Sequence, residues 1–196
     1  MEKKRTPQRE ERIREVLERR QKDLTLIVDN VWDPHNVSAI LRSCDAFGIY
    51  GIHLYYTDAE WPDFANKSSA SGKKWVERTP HTDAAEMVGS LRGQGYQVLR
   101  TGFSENSRPL MDFDLSKPSA VILSNEHSGT APELAALVPD EVYIPMQGMI
   151  QSFNVSVAAG LILYHGFTQR YAKGMYDKPS FSQEEMDVIV QDWLTR

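Results

Sequence analysis

Residues 144–158 read Ile-Pro-Met-Gln-Gly-Met-Ile-Gln-Ser-Phe-Asn-Val-Ser-Val-Ala, a stretch in which an apolar strand end is followed by a polar loop and then by a helix. Residues 142–145 are predicted to close the strand, and residues 154–172 are predicted to form the helix. Ser152 or Asn154 is suited to cap that helix, because each side chain can accept a hydrogen bond from a free backbone amide. The loop is therefore either a simple helix cap or part of a binding site.

Two further polar clusters also follow predicted strands. One runs from Asn36 to Arg42, after an apolar strand at residues 24–28, and the other covers residues 125–129. Ligands bind at the carboxyl ends of strands in open parallel sheets, so three such loops can converge on one site. Each cluster also has a simpler explanation, with Asn36 as a helix cap and Glu126 as an exposed loop charge. The composition of the clusters does not name a ligand.

Strands and helices alternate along the chain, which predicts an α/β fold with a largely parallel sheet flanked by helices. The predicted strands are residues 24–28, 49–56, 96–101, 120–124 and 142–145. The predicted helices are residues 37–47, 83–91, 132–137 and 154–172, together with a last helix that a capping-box pattern opens at Ser182. Residues 57–80 are predicted to be a long loop, and loops of this length are usually functional or mobile.

The composition excludes several classes of protein. The 196 residues are 41% hydrophobic and 25% charged, which is ordinary for one globular domain. Cys44 is the only cysteine, so a disulfide framework is excluded, and its place on an apolar helix face predicts a buried, unreactive thiol. No apolar run reaches the roughly 18 residues of a membrane span, and the N-terminus is charged, so a cytoplasmic protein without membrane contact is expected. The five histidines show no metal-ligand spacing, so no metal is expected.

The first 23 residues differ in charge from the rest of the chain. They contain nine Lys or Arg and six Asp or Glu, although the whole chain has a net charge of −5. Ile13, Val16 and Leu17 fall on one helical stripe, and an arginine row lies along its border. Such a row suits contact with phosphates. The alternative is a solvated helix face, with Glu10–Arg14 and Glu18–Lys22 paired at i,i+4 spacing.

The three clusters together resemble the conserved motifs of a known family. Residues 33–42 resemble the first motif of the SpoU branch of the SPOUT RNA methyltransferases, residues 125–129 resemble the second, and residues 144–148 with 152–158 resemble the third. The resemblance spans residues 24–172, and both flanks are similar to the TrmH subfamily of tRNA guanosine-18 2′-O-methyltransferases. Phe153 stands where the family usually has leucine, and His127-Ser128 occupy variable positions of the second motif.

The resemblance implies a fold with a deep trefoil knot near the C-terminus, although ordinary topology makes knots very rare. The knot would build the site for S-adenosylmethionine (AdoMet) from three loops. The implied cofactor-binding residues are Thr101, Gly102, Ser124, Asn125, Gly129, Ile144, Met146, Gly148 and Phe153. The resemblance also implies a homodimer whose active sites are completed at the subunit interface, with the helix at residues 154–172 offering an apolar surface. It divides the chain into a basic N-terminal helix (1–23), a methyltransferase domain (24–174) and a C-terminal helical extension (175–196).

The activity implied by the resemblance is transfer of a methyl group from AdoMet to a ribose 2′-oxygen of tRNA, at guanosine 18. Arg42 matches the family's catalytic arginine. Because a guanidinium stays protonated at neutral pH, we expect Arg42 to stabilise the developing alkoxide rather than to act as a base. Four further residues are expected to orient Arg42, the ribose and the cofactor loop: Asn36, Glu126, Ser152 and Asn154.

The expected contacts with tRNA phosphates are local basic side chains, because distant acidic surface is screened by salt. They are Arg9, Arg12, Arg20, Arg170, Lys73 and Lys74. Two alternatives remain open on the sequence. One is a ribosomal RNA 2′-O-methyltransferase of the same superfamily, and the other is an RNA-binding module that has lost catalysis.

Overall fold

A computed structural model describes residues 6–58, 61, 72–125 and 129–196, with only the backbone described at residues 72 and 73. Its strands form one sheet of seven members in the described part of the chain, and all of their pairings are parallel. The strands are β1 (Leu24–Asp29), β2 (Gly51–Tyr55), β3 (Glu77–His81), β4 (Gln97–Thr101), β5 (Arg108–Pro109), β6 (Ser119–Leu123) and β7 (Glu141–Tyr143). Their spatial order is β3-β2-β1-β6-β4-β7-β5.

Helices cover both faces of this sheet. They are α1 (Pro7–Leu17), α2 (Pro34–Ala46), α3 (Gly72–Trp75), α4 (Ala84–Gly93), α5 (Pro132–Leu137), α6 (Val155–Ala172) and α7 (Gln183–Trp193). Successive strand residues point to opposite faces, so Leu26 and Val28 of β1 pack with α2 and α6, whereas Ile27 packs with α4 and α5. The predicted α/β fold with a parallel sheet flanked by helices is therefore confirmed.

The first and last helices form a separate apolar cluster. Ile13 and Leu17 of α1 are buried against Met186, Val190 and Trp193 of α7. The capping box predicted at Ser182 opens α7, since the Ser182 hydroxyl accepts from the Glu185 amide and the Glu185 carboxylate accepts from the Ser182 amide. The N-terminal helix is thus attached to the body of the protein through α7.

Two sequence predictions about local structure are wrong. The long loop predicted at residues 57–80 contains helix α3 and strand β3 within its described part, and β3 pairs along its whole length with β2. Prediction missed β3 because its sequence, Glu-Arg-Thr-Pro-His, has almost no apolar side chain and it forms an edge strand. The N-terminal helix ends at Leu17, so Lys22 does not pair with Glu18 and instead contacts Glu185 of α7 at 3.2 Å.

Among the described residues, no helix combines the length and the hydrophobicity needed to cross a membrane.

Candidate cofactor and catalytic site

A cavity of about 520 Å³ lies at the carboxyl ends of β4, β6 and β7. Described residues from three chain segments line it, in addition to Ile162 of α6. They are residues 100–104, then 123–125, 129 and 130, and in the third segment residues 141–144, 146, 151–153, 155 and 158. Three clusters were predicted to converge, and described residues of the second and third line this cavity, whereas no residue of the first cluster (36–42) does. The volume falls within the range of pockets that bind drug-sized ligands and cofactors.

Most of the residues expected to bind the cofactor line this cavity. They are Thr101, Gly102, Ser124, Asn125, Gly129, Ile144, Met146 and Phe153. Gly148 is exposed and is not among the lining residues. The walls combine apolar side chains from three strand ends with polar groups of the loops, which is the usual composition of a site that holds a flat apolar ring and reads its edge.

The ends of β4 and β6 are joined by hydroxyl groups at the cavity wall. The Thr101 hydroxyl oxygen accepts from the Ser124 amide at 3.1 Å, and the Ser124 hydroxyl donates to the Thr101 carbonyl at 2.9 Å. The hydroxyl oxygens of Ser124 and Thr130 lie 2.5 Å apart. These bonds connect Ser124 and Thr130, on either side of the loop after β6, to the end of β4.

The end of β1 anchors the same loop from the other side. The Asn125 side-chain amide donates to the Asn30 carbonyl at 2.5 Å, and the Ala131 amide donates to the buried Asp29 carboxylate at 2.7 Å. Burial raises the pKa of Asp29 to about 6, against the opposing effect of the Ala131 hydrogen bond. Sequence reasoning missed Asp29 and Asn30, although two polar residues directly after a buried strand are the signal that selected the other clusters.

Helices α2 and α6 meet at two asparagines. The Asn154 side-chain amide donates to the Asn36 side-chain oxygen at 3.0 Å, and Asn36 is buried. The Asn154 oxygen also caps α6, accepting from the Ser156 amide at 2.9 Å. The cap predicted for Asn154 is therefore confirmed, and the same side chain uses its amide to link α6 to α2.

Arg42 lies on α2 and is exposed. Within the described part of the chain it forms no hydrogen bond or ion pair, so its guanidinium is available to a ligand. Ser152 is exposed and lines the cavity. Glu126, with His127 and Ser128, lies outside the described residues.

Two of the arginines expected to contact RNA are buried, and this corrects the prediction. Arg20 is 1% exposed, pairs with Asp45 and donates to the Ile49 carbonyl at 2.8 Å. Arg170 is fully buried, and its guanidinium donates to Asp23 at 2.5 Å and to the Leu115 carbonyl at 2.9 Å. Both side chains hold structural elements together and cannot reach a phosphate.

The other expected RNA contacts differ in exposure. Arg12 is exposed and pairs with Glu15, Arg9 is half-buried, and Lys74 is exposed. The side chain of Lys73 is not described. The basic surface that the structure leaves open to a polyanion is therefore smaller than predicted.

The cysteine and two of the histidines lie away from the cavity. Cys44 is buried as predicted, and burial raises the pKa of its thiol far above the ordinary value. His53 and His81 on β2 and β3 share a ring-nitrogen contact of 2.9 Å, and burial followed by the charge of His81 lowers the pKa of His53 to about 4. Among the described residues, no group of three His, Cys, Asp or Glu lies close enough to hold a metal ion.

The sequence matches one protein family over most of its length. Residues 23–164 match the SpoU rRNA Methylase family, and the chain belongs to that family. The tRNA (guanosine(18)-2′-O)-methyltransferase of Thermus thermophilus is 42% identical over 192 residues, which cover 98% of each chain.

Solved structures agree with this assignment. The TrmH/SpoU tRNA modifying enzyme of A. aeolicus is 38% identical, with a TM-score of 0.89 over 95% of both chains. An AdoMet bound rRNA methyltransferase from Sinorhizobium meliloti is 25% identical, with a TM-score of 0.64 over 82% of this chain and 60% of that one.

Proposed function

We propose that this protein is an AdoMet-dependent tRNA 2′-O-methyltransferase that modifies guanosine 18. The observation that carries the proposal is the convergence of three chain segments on one cavity, close to a hydrogen bond between Asn154 and Asn36 of α2, the helix on which Arg42 is exposed. Two relatives named tRNA (guanosine(18)-2′-O)-methyltransferase, which match 98% and 87% of this chain, support the choice of tRNA and of guanosine 18.

The residues around the cavity fit AdoMet. Ile144 and Phe153, with Leu123 and Val142, provide apolar walls for an adenine ring, and the backbone around Ser124 and Gly129 provides donors and acceptors for its edge. AdoMet supplies the methyl group on a sulfonium, which leaves little covalent chemistry to the protein. The contribution of the chain is to place the ribose hydroxyl and to activate it.

Arg42 is the residue proposed to act on the reacting oxygen. Its protonated guanidinium stabilises negative charge that develops on the ribose 2′-oxygen, and its planar fork can hold a neighbouring phosphate at the same time. The proton passes to that phosphate or to water. Asn36 and Asn154 are positioning residues, because their mutual hydrogen bond fixes α2, which carries Arg42, against the start of α6. Ser152 and Glu126 are proposed to position the ribose and the cofactor loop.

The proposal includes a homodimer. Helix α6 carries four exposed apolar or aromatic side chains on the side that the sheet does not cover: Val157, Leu161, Tyr164 and Tyr171. An apolar stripe of this kind on one long helix is suited to pack against its own copy. The partner subunit would complete each active site.

Three further features belong to the proposal. The C-terminal part of the methyltransferase domain (24–174) forms a deep trefoil knot, which a crystallographic chain trace would test. Residues 1–23 and 175–196 are extensions of that domain, and the packing of α1 on α7 makes them one unit. The enzyme acts in the cytoplasm, where its tRNA substrate is found.

The decisive experiment is incubation of the full chain with labelled AdoMet and unmodified tRNA, followed by mapping of the methylated nucleotide. We expect one 2′-O-methylguanosine at position 18. A ribosomal RNA fragment in a parallel reaction should remain unlabelled, and its preferential labelling would favour the ribosomal alternative. Binding of tRNA without any transfer of label would favour a module without catalysis.

A further inference from the structure

A buried ion pair lies in the wall of the cofactor cavity. Glu141, the first residue of β7, is 3% exposed, and its carboxylate contacts the guanidinium of Arg100 on the neighbouring strand β4. Both residues line the cavity. The Arg100 Nε also donates to the Val138 carbonyl at 2.9 Å, so the guanidinium is fixed from a second direction.

The Glu141 carboxylate has an ion-pair partner but accepts no hydrogen bond from the described residues. Its Oε2 is buried against the Arg100 guanidinium without a hydrogen bond, and no donor to Oε1 is found in the described part of the chain. A Cβ atom on Gly102 would lie 2.5 Å from Oε1, so the carboxylate occupies the space that a side chain at position 102 would fill. Glu141 therefore reaches the cavity wall because residue 102 is glycine.

A carboxylate in such a place requires donors. A buried carboxylate oxygen without a hydrogen bond has a large desolvation cost, and that cost is removed when a ligand supplies the donor. A carboxylate accepts only, and the vicinal hydroxyls of a ribose donate to it well, as in dinucleotide sites where an acidic residue binds the ribose hydroxyl. The adenine edge is a poorer match, because it places acceptor nitrogens beside its amine.

We propose that Glu141 is a specificity-determining residue that accepts a hydrogen bond from a ribose hydroxyl of the bound cofactor, while Arg100 holds the carboxylate in place. This inference rests on the proposed function, since it assumes that the cavity binds AdoMet. It assigns the end of the cavity near Arg100, Gly102 and Glu141 to the ribose, and it leaves the apolar walls to the adenine ring.

The test is calorimetric binding of S-adenosylhomocysteine and of its 2′,3′-dideoxy derivative to the full chain. We expect the wild-type protein to bind the dideoxy ligand at least about 10-fold more weakly, as loss of a hydrogen bond to a charged group implies. In Glu141→Gln the ratio of the two affinities should fall to about threefold or less. Methylation of the adenine amine of S-adenosylhomocysteine should change the affinity by the same factor in the wild type and in Glu141→Gln.

Two further variants control this test. Arg100→Met/Glu141→Leu removes the pair as a whole, which is often tolerated in protein interiors, and it should also lose the preference for the hydroxyls. Glu133→Gln alters a carboxylate that accepts from the Tyr55 hydroxyl outside the cavity, and it should keep the wild-type ratio.

The possible failures are distinct. Equal binding of both ligands by the wild-type protein, or an unchanged ratio in Glu141→Gln, would overturn the role of Glu141 alone. A sensitivity to the methylated amine that disappears in Glu141→Gln would assign the residue to adenine instead. Absence of any binding of S-adenosylhomocysteine would overturn the proposed cofactor site and this inference with it.

Discussion

Arginine side chains in this protein have two different roles, and burial decides between them. Arg42 is exposed on α2 without a protein partner in the described residues, whereas Arg20 and Arg170 are held in the interior by carboxylates and carbonyls. All three are strong cations. Only the first can approach a ribose or a phosphate.

Substitution of Arg42 therefore tests the proposed chemistry. Arg42→Ala should reduce methyl transfer at least about 100-fold, since loss of a single preorganised charge-stabilising donor commonly has an effect of that size. Arg42→Lys should also fail, because an ammonium does not reproduce the planar fork. Turnover with labelled AdoMet and calorimetric affinity for S-adenosylhomocysteine are the measurements, and the affinity should stay unchanged.

The matched control is Arg92→Ala, which removes an arginine from α4 on the opposite face of the sheet. It should keep full activity. Near-normal turnover in Arg42→Ala would remove Arg42 from the mechanism.

Asp29 makes stability depend on pH. Its pKa is about 6 in the folded protein because it is buried, so the native state binds a proton more tightly than the unfolded chain. The contribution of Asp29 to the free energy of unfolding is therefore greatest below pH 4. About 3 kcal/mol of it is lost as the pH rises through 6. His53 has the opposite effect. Because burial lowers its pKa, its contribution makes the protein more stable as the pH rises over a similar range.

A comparison of two proteins isolates the Asp29 effect. The free energy of urea unfolding should be measured at pH 4 and pH 7 for the wild type and for Asp29→Asn. Between pH 4 and pH 7, the free energy of unfolding of Asp29→Asn should increase by about 2–3 kcal/mol relative to that of the wild type. A difference that is independent of pH would show that Asp29 titrates normally.

At the scale of elements, helix α1 has a structural face and an open face. Ile13 and Leu17 are buried against α7. Arg20, just beyond the end of α1, is also buried, whereas Arg12 is exposed. Removal of residues 1–20 would therefore damage the fold as well as any RNA contact. Point substitutions separate the two roles.

The double variant Arg9→Ala/Arg12→Ala should weaken tRNA binding and reduce the slope of log affinity against log salt by about 2. Its melting temperature should remain within a few degrees of wild type. Titration of labelled tRNA at several salt concentrations is the measurement. An unchanged affinity and slope would assign these arginines to ordinary surface.

The comparison variant is Arg20→Ala, which removes a buried guanidinium from its ion pair with the partly exposed Asp45. It should lower the free energy of unfolding by about 3 kcal/mol, because the Ile49 carbonyl loses its donor and a cavity replaces the buried side chain. Its tRNA affinity, measured where the protein is folded, should match wild type. Stability equal to wild type would contradict the structural role.

At the scale of the whole molecule, the exposed apolar stripe of α6 is the proposed dimer interface. Leu161→Glu/Tyr164→Glu places two charges on that stripe and should produce a monomer, because like charges cannot be buried together in a symmetric interface. Light scattering coupled to gel filtration measures the mass. Methyl transfer should fall with dimerisation if the partner completes the site.

Val188→Glu is the control for that variant, since Val188 is an exposed apolar residue on α7 outside the stripe. It should leave both mass and activity unchanged. A wild-type protein that is monomeric and fully active would refute the dimer.

The sequence by itself determined much of the local structure, although not strand β3 or the end of α1. Helix α5 was predicted with its observed ends, the cap at Ser182 was identified from sequence, and Asn154 was one of two candidates for the cap of α6. These features depend on side chains within a few residues of the backbone groups they satisfy, so a local pattern is sufficient. The parallel sheet and the convergence of the second and third polar clusters also followed, because strand alternation and strand ends are visible in sequence.

Only the tertiary structure decided which charged residues are buried. The partners of Arg20 and Arg170 lie 25 and 147 residues away, and the pair of Arg100 and Glu141 depends on the register between β4 and β7. The anchoring of Ala131 by Asp29 joins residues 102 positions apart. In the sequence each of these side chains looks like an ordinary surface charge, because burial of a charge depends on a partner that only the folded chain brings within hydrogen-bond distance.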